Sequence, residues 1–199
     1  MQNRSCQEGF TLIELTMALV IIGLLIGGVL KGFQLIEQAR AKQVVRTLDL
    51  IQAAALTYLD KYGALPGDDG DSHNGAITPV TGSPNDGQID SADDFWRQLH
   101  EAGIVEGSGT APMKTPWGTP YTAAYNAAGL ANNAVCVLLP AEVAQQIDTR
   151  YDDGNGQSGS FLFAANQSDN TPATTASSIP ATGKGWLCTS EINKSLVGG

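Results

Sequence analysis

Between Phe10 and Leu30 the chain reads FTLIELTMALVIIGLLIGGVL, and Glu14 is its only charged side chain. An apolar run of this length has few fates. As a helix it reaches about 31 Å, the thickness of a bilayer's hydrocarbon core. A secretory signal peptide has a shorter apolar core followed by a small-residue cleavage site. Here the run continues into VLKGFQLIEQARAK, which is helical in character and has no A-x-A site. A lipoprotein signal places a cysteine after the run, whereas Cys6 precedes it. The segment is therefore expected to stay as a spanning helix. Glu14 then needs a reason, because a carboxylate at such depth costs roughly 2.5–3.5 kcal/mol.

The helix does not stop at Leu30. No proline occurs before Pro66, and Ala41, Val44, Leu48, Ile51, Ala55, Tyr58 and Tyr62 recur at spacings of three and four. That is one apolar stripe, with Arg40, Lys42, Arg46 and Asp49 largely off it. The spacing predicts one helix from about residue 10 to residue 62, ended by Gly63 and Pro66. Residues 10–30 suit a membrane, and residues 31–62 suit packing on a folded domain. The stripe is short for a coiled coil.

The totals bound the rest. With 42% hydrophobic and 16% charged residues in 199, the chain is neither disordered nor a multi-span membrane protein. A net charge of −9 gives no overall drive toward nucleic acid, so none is expected as a partner. Cys136 and Cys188 lie in a polar, lysine-poor region, which suggests an oxidising compartment and one disulfide. Orientation is contested. Arg4 precedes the run while Lys31, Arg40, Lys42 and Arg46 follow it, and a positive-inside count puts the C-terminal side in the cytoplasm. The disulfide and the short leader put it outside, and that orientation is adopted.

After Gly63 the texture changes. Residues 64–87 read as loop, with at most a short hairpin. SADDFWRQLHEAGIV, residues 91–105, reads as a helix with Ser91 as N-cap, Asp94 completing a capping-box-like start, and Phe95, Trp96, Leu99 and Ile104 facing inward. Strand candidates are PYTAAYN (120–126), AVCVLL (134–139), SFLFAANQ (160–167) and GWLCTSE (185–191), with AEVAQQIDTRY (141–151) as a helix between the second and third. Residues 168–183 read as a polar loop. The expected class is α+β: a long N-terminal helix on a small antiparallel sheet.

Residues Gly9-Phe10-Thr11-Leu12-Ile13-Glu14-Leu15 closely resemble the processing site of the type IV pilin and pseudopilin superfamily. The resemblance covers about the first 60 residues and implies a pilin-like fold. It implies that prepilin peptidase cuts after Gly9, that Phe10 becomes the N-methylated terminus, and that Glu14 is the glutamate at the fifth mature position. It divides the chain into a leader (1–9), a transmembrane or filament-core helix (10–30), an amphipathic helix (31–62) packed on the globular domain, and a C-terminal α+β domain (63–199). Many relatives have a proline where this chain has Lys31. The implied partners are prepilin peptidase, the inner membrane, and other pilin or pseudopilin subunits in a helical homo- or hetero-oligomer. The implied location is the bacterial inner membrane, single-pass with a periplasmic domain, and then a filament. Glu14 is expected to pair with the Phe10 ammonium of a neighbour or of its own chain, fixing register during assembly.

Two shorter echoes diverge. Thr115-Pro116-Trp117-Gly118-Thr119-Pro120-Tyr121 is similar to a segment of major type II secretion pseudopilins. The Cys136–Cys188 pair resembles the disulfide-bounded region of type IV pilins. A pilus or pilus-like subunit is the first expectation; a type II secretion pseudopilin, or a minor or tip pilin that binds a surface, DNA or a secreted substrate, is the alternative.

No site points to an enzyme. His73 and His100 have no motif around them, and no phosphate-binding glycine pattern exists. No cofactor is expected except calcium, for which the acidic groups are Asp68, Asp69 and Asp71; Asn85, Asp86 and Asp90; and Asp152 and Asp153. Major pseudopilins hold calcium in a C-terminal loop, which favours Asp152 and Asp153. None matches the D-x-[DN]-x-[DN]-G loop, and solvated turn residues are the first expectation for all of them.

Overall fold

A computed structural model describes residues 10–128, 132–166, 172–180 and 182–189. The chain divides into two compact units, Met1–Arg40 and Ala41–Gly199. The boundary falls within α1, Leu12–Tyr62.

In the first unit α1 begins at Leu12, two residues later than the periodicity alone suggests, because Thr11 takes the N-cap. Its Oγ1 accepts the Glu14 N–H at 3.3 Å, and the Glu14 carboxylate accepts the Thr11 N–H at 3.1 Å. This reciprocal pair is a capping box, which satisfies donors that a helix start leaves open. From Phe10 to Ile36 every large apolar side chain is exposed. A Cβ placed on Gly23, Gly27, Gly28 or Gly32 would meet nothing within 4 Å. The helix is long and apolar enough to cross a membrane.

The second unit opens with Ala41, where burial starts. Ala41, Val44, Leu48, Ile51, Ala55 and Tyr58 of the stripe are buried, joined by Val45 and Ala54, while Tyr62 is half-buried. This face packs against α2 (Ala92–Glu101), α3 (Ala141–Tyr151) and one face of the sheet through Tyr121, Val135, Val137, Leu139, Phe163 and Leu187. Ser91 caps α2, its Oγ accepting the Asp94 N–H at 3.3 Å, and Phe95, Trp96 and Leu99 are buried. Ile104 packs partly on the same core just beyond the helix.

Among the described residues the sheet has five antiparallel strands in the order β1 (Tyr121–Tyr125), β2 (Asn133–Pro140), β5 (Lys184–Thr189), β3 (Phe161–Asn166) and β4 (Pro172–Ala176). β2 and β3 both run antiparallel to β5, so they are parallel to each other. Parallel strands need a crossover, and α3 supplies it, leaving a gap that the last strand fills. β2 is nearly continuous in apolar residues because both its faces are covered. The other face carries Ala134, Cys136, Leu138, Leu162, Ala164, Trp186 and Cys188 in a second cluster. β4 corrects the sequence expectation that residues 168–183 form a loop. It is a polar strand at the sheet edge, recognisable only through its pairing with β3. The ends of the third and fourth strand candidates, Gln167, Ser190 and Glu191, lie outside the described residues.

Gly185 shows how closely the sheet is packed. It lies opposite Ala165, and the Phe163 ring covers it so that an added Cβ would run into the ring. Gly185→Ala is expected to cost about 2 kcal/mol as overpacking. A urea midpoint unchanged from wild type would refute this packing argument.

Residues 64–87 hold no strand among the described residues. Two aspartates expected to be solvated are instead buried and organise the segment. Asp68 accepts the Asp86 and Gly87 N–H groups at 3.1 and 2.9 Å, and Asp69 accepts the Tyr58 hydroxyl at 2.7 Å. Gln98, buried on α2, accepts the Gly67 N–H and donates to the Asp69 carbonyl. The TPWGTPY segment is also a structural turn. Thr115 Oγ1 accepts the Trp117 and Thr119 N–H groups, and Gly118 adopts φ +80°, which delivers Tyr121 into β1.

Candidate functional site

The residues singled out in the sequence fall into separate places. Gly9 lies outside the described residues. Phe10 is exposed and immediately precedes the capping box. Glu14 Oε2 also accepts the Thr11 hydroxyl at 2.8 Å, so in the single chain this carboxylate is held locally. The arrangement presents a carboxylate at one end of an uncovered apolar helix. An exposed apolar surface of that extent requires lipid or other protein to cover it.

Cys136 and Cys188 stand opposite each other on β2 and β5 and are joined by a disulfide. Both are fully buried. The bridge ties the last strand to β2 and closes a segment that contains α3, β3 and β4.

The two histidines have structural neighbours. His73 Nε2 lies 2.8 Å from the Asp69 carboxylate, and its ring stacks on Tyr62. Burial, then the hydrogen bond to Asp69, pushes the Tyr58 hydroxyl above its ordinary range. His100 Nδ1 lies 2.8 Å from the Gly109 carbonyl oxygen. Neither histidine has a serine or cysteine nucleophile among its hydrogen-bond partners.

The acidic groups separate by how their oxygens are used. Asp69, Asp71 and His73 come together, but Asp69 already accepts the Tyr58 hydroxyl and the Asp71 N–H. Burial pushes the Asp68 carboxyl up against the opposing effect of the Gly87 and Asp86 N–H groups. Asp86 is exposed and accepts the Gln88 N–H. Asp152 and Asp153 come together with Asp148, which the sequence reading did not single out. Asp152 accepts the Phe161 N–H at 2.8 Å; Asp153 accepts the Asn155 N–H and the Ser158 hydroxyl. The Ser158 hydroxyl, then the Asn155 N–H, lowers the Asp153 carboxyl. Burial, then the Asp152 and Asp153 charges, pushes the Asp148 carboxyl up to about 6. A signal for Asp148 existed: it lies four residues after Ala144 on the inward stripe of α3, where a charged residue is out of place.

Comparison with known proteins bears on the N-terminal site. Residues 4–30 match the family described as the prokaryotic N-terminal methylation motif. No curated protein matches the chain. Among solved structures it is similar to the major Type IV pilin PilA1 from Clostridium difficile, with 14% identity over 77% of this chain and 95% of that one, at a TM-score of 0.40.

Proposed function

We propose that this chain belongs to the type IV pilin and pseudopilin superfamily and is a structural subunit of a type IV pilus or pilus-like filament; the N-terminal methylation motif supports the reading. The match of residues 4–30 to that motif carries the reading, because it spans the proposed junction after Gly9 and the apolar helix that follows. Prepilin peptidase cuts after Gly9, and Phe10 becomes the methylated terminus. The uncovered apolar surface from Phe10 to Ile36 lies first in the inner membrane, with the second unit on the periplasmic side. It then lies against neighbouring subunits in the filament core. The Cys136–Cys188 bridge supports the oxidising side and favours a pilus over a secretion pseudopilus. The TPWGTPY segment, the feature shared with pseudopilins, is accounted for here as a turn.

The test is an intact-mass measurement on filaments sheared from the cell surface. The expected species begins at a methylated Phe10 and lacks residues 1–9. A chain found only in the membrane fraction, still bearing its leader, would remove the proposal. In the same system Gly9→Val is expected to leave the precursor uncleaved, since a branched side chain obstructs the scissile bond. Normal maturation of that variant would reject Gly9 as the cleavage residue.

A further inference from the structure

Lys42 and Arg46 take no part in cleavage or in the apolar contact of the filament core. Both are exposed and lie in the first turns of the second unit. They stand at a spacing of four on the helix face opposite Val44, Leu48 and Ile51, which are buried. No ion pair among the described residues involves either one. The adopted orientation also puts both on the outer side of the membrane, against the usual charge bias. The chain that carries them has a net charge of −9, which an anionic bilayer surface repels.

We propose that Lys42 and Arg46 bind the headgroup phosphates of anionic phospholipids in the outer leaflet before assembly, which rests on the membrane-anchored reading above. The chain length fixes their depth. The exposed apolar surface from Phe10 to Ile36 covers about 40 Å as helix, the thickness of a bilayer with its headgroups. Lys42 follows Ile36 after about 9 Å of helix, and after no more than about 20 Å of chain in any conformation. Helical side chains lean toward the N-terminus, so both cations lean back toward the apolar run. Their long stems then carry the charge to the headgroup level. A phosphate layer fits these cations better than a second copy does. The acidic groups that the fold gathers, around Asp69 and around Asp152, already have protein donors on those two carboxylates. The phosphate layer needs no such preformed partner, and every anchored chain meets it at the same height.

The experiment places single full-length chains in lipid nanodiscs of phosphatidylcholine with a minor share of phosphatidylglycerol. Spin-labelled lipids of each class report which one the protein's lipid shell retains. Phosphatidylglycerol is expected to be preferred by about fivefold or more, since each cation near an anionic surface contributes about that factor. The preference is expected to fall as salt is raised. Lys42→Gln combined with Arg46→Gln is expected to lower it by about fivefold or more, whereas Lys42→Arg with Arg46→Lys keeps it. Lys61→Gln, in the last turn of α1, is expected to leave it unchanged. All variants are expected to unfold at the wild-type midpoint, because these side chains are exposed. Filament formation does not enter the measurement, so a failed search for methylated Phe10 in sheared filaments would refute the filament and leave this result standing. The proposal is overturned by equal retention of the two lipids, by a preference that survives the double glutamine variant, or by an equal loss in Lys61→Gln. It is also overturned if that double variant reduces crosslinking between two chains in larger discs while the lipid preference stays unchanged, which would assign the cations to a second copy.

Discussion

Reducing the Cys136–Cys188 bridge is expected to lower the stability of the folded chain by about 4 kcal/mol. The two cysteines are 52 residues apart, and the loop-closure entropy removed from the unfolded chain at that separation sets the figure. The packing around the bridge should not offset it. Cys136 and Cys188 already face each other in the β2–β5 register, and Leu162 lies beside Cys188 on β3. Two reduced thiols therefore remain buried as small apolar groups, and the enthalpy of the folded state changes little. The measurement is urea unfolding with and without reductant, repeated on Cys136→Ala with Cys188→Ala. A difference below about 1 kcal/mol would mean that the unfolded chain is already compact across this loop.

The segment closed by the bridge also shows what a sequence can and cannot disclose. α3 was legible because Ala141, Ala144 and Ile147 mark a helix face, and β2, β3 and β5 because each is rich in apolar or aromatic residues. β4 was not, because PATTA has no large apolar side chain and its identity depends on hydrogen bonds to β3. The stripe on α1 predicted its buried face almost residue by residue, since a helix's periodicity is a local property. The burial of Asp68 and Asp69 was beyond local reading. Their partners converge from α1 and the 86–87 turn, and Gln98 of α2 reaches the Asp69 backbone. Asp148 stands between these cases. Its place on the inward stripe was visible, whereas its lack of a partner is a tertiary fact.

Glu14→Ala and Glu14→Gln should both be inserted and processed, yet both should fail in filament assembly, and their difference identifies what Glu14 does. The carboxylate closes a capping box with Thr11 in the single chain. Glutamine can fill the same position, so Glu14→Gln keeps the cap but loses the charge, while alanine loses both. A lost cap costs about 1 kcal/mol at an exposed helix start. An ammonium at Phe10 buried in a filament core without its carboxylate costs on the order of 3–5 kcal/mol. If charge pairing sets register, the glutamine variant should therefore lower the ratio of sheared filament to membrane pool about as severely as alanine does, by roughly two to four orders of magnitude. If Glu14 serves only as a cap, glutamine should assemble near the wild-type level and alanine should fall by about tenfold or less. Neither substitution hinders insertion, because each removes a charge from an apolar run. Cleavage at Gly9 is checked in the same samples by intact mass, so a processing defect cannot be mistaken for an assembly defect. Wild-type filament yield from a fully processed Glu14→Gln strain would end the register role and leave the capping box as the reason a carboxylate stands in this helix.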